Sequence, residues 1–179
     1  MTTLSLPPLT LVIGGARSGK SAYAEALVAD HSSIYLATAD PRASRHDREM
    51  EQRIRSHQRR RGKQWETVEE PIDLVETFEK LANTHKPVLI DCLTLWVTNV
   101  MAVTDRKVPH EGERLVAAMI AHPHPIIAVT NEVGLGLVPE TPLGRAFRDH
   151  AGTINQMVAA AADRVVFVTA GLPLILKDS

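Results

Sequence analysis

The chain has 179 residues, enough at roughly 100–200 residues per domain for one domain with a real core, and residues 1–179 are read as that unit. Hydrophobic residues make up 44% and charged residues 23%, and the 10 glycines and 11 prolines follow no period, which excludes disorder, collagen and coiled coil as overall descriptions. The 20 Lys and Arg against 21 Asp and Glu leave a net charge of -1, so nothing draws the whole surface to nucleic acid or anionic membrane, and any electrostatic site is local. Cys92 is the single cysteine, which excludes an intrachain disulfide and a multi-cysteine zinc site. No apolar run approaches the ~18 residues of a membrane span, and Met1 to Thr10 carries no Lys or Arg. Neither a signal peptide nor an anchor is expected, and the expected location is cytoplasmic.

In chain order, short apolar or β-branched runs predict strands at Thr10 to Ile13, Ser33 to Thr38, Trp65 to Glu69, Val88 to Asp91, Ile126 to Thr130 and Val165 to Thr169. Between them, Ser21 to Ala29, Ser44 to Arg61, Ile72 to Ala82, Glu113 to Ala121 and Gly144 to Ala162 have helical composition. Several strands are continuously apolar rather than alternating, as parallel strands covered on both faces are. The expectation is an α/β fold with a mainly parallel sheet and helices on both faces. The segment LPLILK after Gly171 is predicted as a short edge strand reached by a Gly-Leu-Pro turn.

Gly14-Gly15-Ala16-Arg17-Ser18-Gly19-Lys20-Ser21 fits G-x-x-x-x-G-K-[ST] and lies directly after the strand TLVI and before a helix. Glycines let the backbone amides turn around phosphate oxygens, and the helix N-terminus adds positive partial charge. Lys20 neutralises the β and γ phosphates, and the Ser21 hydroxyl can ligate magnesium. The acidic partner of such a loop ends a buried strand, and Val88-Leu89-Ile90-Asp91 supplies it, so Asp91 is the candidate magnesium carboxylate. Its competing reading is a strand-ending Asp that caps the next helix.

Arg42 to Lys63 holds nine Lys or Arg against three acids, and Glu66 to Glu79 holds six acids and no base. On a helix His57 shares a face with Met50, Ile54 and Arg61, with Arg53 and Arg60 beside it. Guanidinium groups around an imidazole favour its neutral, nucleophilic form and attract a triphosphate. A solvated helix face with a bystander histidine is the other reading, and His31, His46, His85, His110, His122, His124 and His150 compete for the role.

GGARSGKS, YLATA at 35–39, RI-x-x-H-x-x-x-R-x-x-x-W-x-T from Arg53 to Thr67, TNEVGLGLVP at 130–139 and FRD-x-x-G-x-x-NQ from Phe147 to Gln156 together resemble one family. It is the bifunctional adenosylcobinamide kinase and adenosylcobinamide-phosphate guanylyltransferase family of cobalamin synthesis, and the likeness runs from about residue 10 to about residue 177. The resemblance implies a P-loop NTPase-type (RecA-like) scaffold carrying two reactions. The first phosphorylates the aminopropanol hydroxyl of adenosylcobinamide with ATP or GTP. The second transfers GMP from GTP to that phosphate, through a phosphoramidate on a histidine that matches His57. The implied nucleotide contacts are Gly14, Gly15, Ala16, Arg17, Ser18, Gly19, Lys20, Ser21, Ala37, Thr38, Ala39, Gln58, Arg59, Arg60, Arg61, Glu69 and Asp91. Magnesium at Ser21 and Asp91 and a homotrimeric assembly are implied in the same way. Ser56 stands before His57 where some relatives have a second histidine, and Met101 to Ala121 is shorter and richer in Pro and His than the family pattern.

A P-loop kinase of another small alcohol, without a covalent histidine, is the nearest rival. A nucleotide-regulated nucleic-acid-binding protein using Arg42 to Lys63 is opposed by the net charge and by the lack of any aromatic residue within that segment. Asn131 and Glu132 follow directly on a buried strand, so they are either ligand contacts or packing residues.

Overall fold

The structure is a computed structural model, and it describes residues 6–40, 62, 64–103 and 106–179. One seven-stranded sheet runs through it, built from β1 (Leu9–Gly14), β2 (Ser33–Ala37), β3 (Trp65–Glu69), β4 (Val88–Asp91), β5 (Ile126–Asn131), β6 (Arg164–Thr169) and β7 (Leu172–Asp178). Its order is β3-β2-β4-β5-β1-β6-β7. The first six are parallel and β7 runs antiparallel to β6. The described helices are α1 (Lys20–Leu27), α2 (Leu74–Leu81), α3 (Leu93–Met101), α4 (Val108–Ala121) and α5 (Pro142–Ala161). The mainly parallel α/β sheet expected from the apolar runs is therefore present. The predicted helix Ser44 to Arg61 lies outside the described residues.

Two apolar layers sandwich the sheet. Leu9, Leu11, Ile34, Leu36, Val88, Ile90, Ile126 and Ala128 face α2, α3, α4 and α5. Val12, Tyr35, Leu89, Ile127, Val129, Val166 and Val168 face α1 through Ala24 and Val28. Successive residues of β1, β2, β4 and β5 thus enter opposite layers, which is why these central strands are mostly apolar, whereas the edge strands β3 and β7 are largely exposed.

Three features depart from the sequence expectation. Helix α3 is anticipated only as the helix that follows Asp91, without bounds, because LTLWVTNVM buries Leu93, Thr94, Trp96, Val97 and Val100 and has no polar face to mark its period. Helix α4 begins at Val108 rather than Glu113, since Pro109 sits in its first turn, where a missing N–H costs nothing. Gly112 of α4 lies where a Cβ would come within 2.3 Å of Ile154 Cδ1, so α4 and α5 pack closely. The third departure is the turn before β7. It is Ala170-Gly171, with both φ angles positive at 50° and 79°, while Leu172 and Pro173 are already paired with Thr169 and Val168. That is a two-residue hairpin turn of the kind favoured by the twist of the flanking strands.

At the amino end of the sheet, remote from the motif loops, three imidazoles meet. His85 and His122 each stack edge-on against His124, at centroid distances of 5.1 and 5.7 Å, and His122 also rests on Phe78 at 5.3 Å. Burial first, and the neighbouring His124 second, hold His122 below the ordinary histidine range. The unfolded chain therefore binds the extra proton more readily, and the contribution is full above the unfolded value near 6.5 and shrinks as pH falls below it. Thermal unfolding followed from pH 8 to pH 5 is expected to show a falling midpoint below about pH 6.5. His122→Gln should flatten that slope, and an unchanged slope would assign the acid sensitivity elsewhere.

Candidate nucleotide site

The motif loop leaves β1 at Gly14 and enters α1 at Lys20, and its backbone is shaped by two left-handed residues, Arg17 at φ 59° and Gly19 at φ 97°. Gly14 is obligatory for a different reason, since a Cβ there would stand 2.3 Å from Val168 O and 2.7 Å from Ser18 Oγ. The loop is braced from behind by the β6–β7 turn, where Gly171 N donates to Ser18 O at 2.8 Å and a Cβ on Gly19 would approach Gly171 Cα to 3.1 Å. Lys20 is 9% exposed, and its Nζ donates to Gly15 O at 3.2 Å, so the ammonium lies within the curve of the loop.

Asp91 ends β4 on the α1 face, and Tyr35 of β2, 2% exposed, donates its hydroxyl to Asp91 Oδ2 at 2.5 Å. Trp65 stands edge-on to the Tyr35 ring at 5.7 Å. The residue after Asp91 is fixed by Thr38, whose hydroxyl accepts from Cys92 N at 2.8 Å and donates to Cys92 O at 2.7 Å. Asn99 of α3 then donates to Thr38 O at 2.7 Å and Pro71 O at 2.9 Å. Burial, with the charge of Asp91 next to it, pushes the Cys92 thiol up to about 11, so it stays protonated and unreactive at neutral pH.

Strand β5 is inserted between β1 and β4, with Asn131 in register with Gly14 and Val129 with Asp91. Its end is held by a buried polar chain. Thr130 donates to Asn155 Oδ1 at 2.7 Å and lies 3.2 Å from the Thr94 hydroxyl. Thr94 in turn accepts from Asn131 N at 2.7 Å, and Asn155 Nδ2 donates to Asn131 O at 3.1 Å. Glu132 N donates to Gly14 O at 3.1 Å, while its carboxylate accepts from Gly134 N at 2.5 Å.

The structure therefore gathers Gly14 to Ser21, Ala37 to Ala39, and Asp91 at the carboxyl end of one sheet, where ligands bind in parallel α/β proteins. Glu69 also ends its strand there, but β3 is four positions from β1, roughly 19 Å at ~4.8 Å per strand, too far to meet the same phosphates. His57, Gln58, Arg59, Arg60 and Arg61 lie outside the described residues. Thr38 is fully buried, and its side chain serves the Cys92 backbone. Tyr35, Thr94, Asn99 and Asn155 support the site without a role assigned to them by the sequence motifs. The sequence signal for Asn99 is a carboxamide in an otherwise apolar helix, and for Tyr35 it is the alternation that puts it on the face of Asp91. A magnesium ion fits the donor set, because the Ser21 hydroxyl and one carboxylate are hard oxygen ligands that leave positions for phosphate and water. No group of three or more His, Cys, Asp or Glu among the described residues could hold a metal without such help.

A loop of this shape between a buried strand and a helix, on a mainly parallel sheet with its acidic partner two strands away, defines a P-loop nucleotide-binding protein of the α/β class. Solved structures agree on the fold. A protein from Pyrococcus horikoshii OT3 matches with a TM-score of 0.53 at 11% identity, covering 98% of this chain and 89% of that one. The P4 protein of bacteriophage phi6 in complex with ADP matches with a TM-score of 0.50 at 11% identity, over 93% of this chain and 53% of that one. Within the class, the family model described as cobinamide kinase / cobinamide phosphate guanyltransferase matches residues 10–176. The bifunctional adenosylcobalamin biosynthesis protein CobP of Pseudomonas aeruginosa is 43% identical, covering 93% of this chain and 96% of that protein. The protein CobU of the same description from Escherichia coli K12 is 39% identical, over 94% and 99%. The chain belongs to the cobinamide kinase / cobinamide phosphate guanyltransferase family.

The contact of Gly14 with the β6 carbonyl can be tested directly. Gly14→Ala is expected to cost about 1–3 kcal/mol of stability, because Val168 O is backbone and cannot swing aside. It should also abolish the rise in thermal midpoint that saturating GTP gives the parent, and a retained rise would show that the loop tolerates the methyl group.

Proposed function

We propose that this protein phosphorylates adenosylcobinamide on its aminopropanol hydroxyl and then converts the product to adenosylcobinamide-GDP. The observation that carries the proposal is the family membership, together with a P-loop whose lysine, brace and strand-end carboxylate stand on one face. In the first reaction the hydroxyl oxygen attacks the γ phosphorus, the bond to the β–γ bridging oxygen breaks, and the nucleoside diphosphate leaves. The loop amides and Lys20 hold the phosphates, and in this reading Ser21 and Asp91 hold magnesium. When bound, that ion neutralises the charge that gathers on the phosphates.

In the second reaction a ring nitrogen of His57 attacks the α phosphorus of GTP. A P–N bond forms as the bond to the α–β bridging oxygen breaks, and pyrophosphate leaves with the electron pair. A phosphate oxygen of adenosylcobinamide phosphate then displaces the histidine, which returns unchanged. Ala37, Ala39, Gln58, Arg59, Arg60, Arg61 and Glu69 are assigned to nucleotide recognition in the same reading. One P-loop serves both steps, because each is an in-line displacement on a nucleoside triphosphate.

The active form is proposed as a cytoplasmic homotrimer. Leu135, Leu137, Val138 and Leu143, 65–96% exposed just beyond β5, and Leu172, Leu174, Ile175 and Leu176, 54–70% exposed on β7, support burial between copies. No helix among the described residues is long and apolar enough to cross a membrane.

The deciding experiment labels GTP on either the α or the γ phosphate, incubates it with magnesium and the protein, denatures, and counts protein-bound label. Acid-labile, alkali-stable label from α-labelled GTP is expected, lost in His57→Ala. Lys20→Ala should reduce both this labelling and phosphorylation of adenosylcobinamide by at least about 100-fold. Nucleotide consumption without bound α label would leave a plain P-loop kinase.

A further inference from the structure

We propose that Asn131 is a substrate-contacting residue whose carboxamide Nδ2 donates a hydrogen bond to an oxygen of the terminal phosphate of the bound triphosphate. Its backbone N–H and C=O are both taken, by Thr94 Oγ1 at 2.7 Å and Asn155 Nδ2 at 3.1 Å. The partners that fix those two groups are buried, with Thr94 at 6% and Asn155 at 7% exposure, so the position of the Asn131 backbone is set from two helices. Its own side chain, by contrast, has no hydrogen-bond partner among the described residues.

The direction of that side chain follows from the strand. Ala128 belongs to the apolar layer under α2 to α5, and Thr130 bonds to Asn155 of α5. Val129 belongs to the layer under α1. Alternation along β5 therefore puts Asn131 on the α1 face, the face of the phosphate loop and of Asp91. Register puts it beside Gly14, where the loop begins, and two residues beyond the level of Asp91. The neighbouring carboxylate of Glu132 is turned onto Gly134 N. The side chain that projects between the loop and Asp91 is thus a neutral carboxamide, the type that can approach phosphate oxygens without repelling them.

This assignment rests on the reading of residues 14–21 as a triphosphate-binding loop. During transfer the acceptor hydroxyl oxygen bonds to the γ phosphorus as the bridging P–O bond breaks, and its proton goes to solvent. Asn131 gives and takes no proton, and it donates a hydrogen bond to the charge spread over the γ oxygens.

The test compares equilibrium binding of the β,γ-imido analogue of GTP with that of GDP, both with magnesium, in the parent, Asn131→Ala and Asn131→Asp. Because a hydrogen bond to a charged group is lost, Asn131→Ala should weaken the analogue about ten-fold and GDP less than about two-fold. Asn131→Asp, nearly isosteric but carrying acceptors and a charge, should weaken the analogue further. Thermal midpoints of both variants should stay close to the parent, because backbone groups rather than the side chain join the buried network. With adenosylcobinamide, the single-turnover phosphorylation rate of Asn131→Ala should fall about 100-fold, and α-label transfer to the protein should change by no more than about three-fold. Equal losses for analogue and GDP, or no loss for either, would overturn the assignment. A parent that binds the triphosphate selectively yet never phosphorylates adenosylcobinamide would refute the proposed function alone, and the binding comparison still judges Asn131.

Discussion

A parallel strand that stops at a ligand cleft leaves its last N–H and C=O groups without the next ladder partner, and a buried unpaired backbone group costs about 1–3 kcal/mol. In this protein the ends of β2, β4 and β5 face that cost together, and a few buried side chains meet it. Thr38 takes both backbone groups of Cys92, Asn99 takes the carbonyl of Thr38, and Thr94 and Asn155 take the two groups of Asn131. The strand ends can then stop abruptly at the cleft while remaining rigid. The site geometry depends on this arrangement more than on any charge.

A division of labour follows. Side chains on the α2–α5 face of the strand ends, such as Thr130, are consumed by backbone and by one another. Those on the α1 face, Asp91 and Asn131, point toward the loop, with Asp91 steadied by Tyr35. Strand alternation performs the sorting, so a one-residue slip of β5 would exchange Asn131 for Thr130 and bury the wrong group.

Much of this was legible in the sequence. The P-loop was readable because its glycines, lysine and flanking strand and helix form a single local pattern, and Asp91 because it ends an apolar run. Two strands matched to the residue, Trp65–Glu69 because Gln64 and Glu70 bound it, and Val88–Asp91 because Pro87 precedes it and its own Asp91 ends the apolar run. The extent of helix α3 was not legible, because burial on nearly all sides erases periodicity, and with it went Thr94 and Asn99. The polar network joining Thr94, Thr130 and Asn155 spans up to 61 positions of sequence, and no local rule pairs residues so far apart. The motif FRD-x-x-G-x-x-NQ carries its Asn155 as a clamp on β5, a role that no local pattern in the motif indicates.

The brace behind the phosphate loop joins residues made at very different times. Ser18 and Gly19 emerge early in synthesis, whereas Gly171, which bonds to Ser18 O, and Val168, which closes over Gly14, come about 150 residues later, roughly 8–30 s at 5–20 residues per second. During that interval the nascent loop lacks its floor, although β1 to β5 can already form. The floor of the loop is thus completed only after β6 and the turn beyond it have been made, and a ribosome-bound fragment ending before β6 lacks the backbone that packs against Gly14, Ser18 and Gly19.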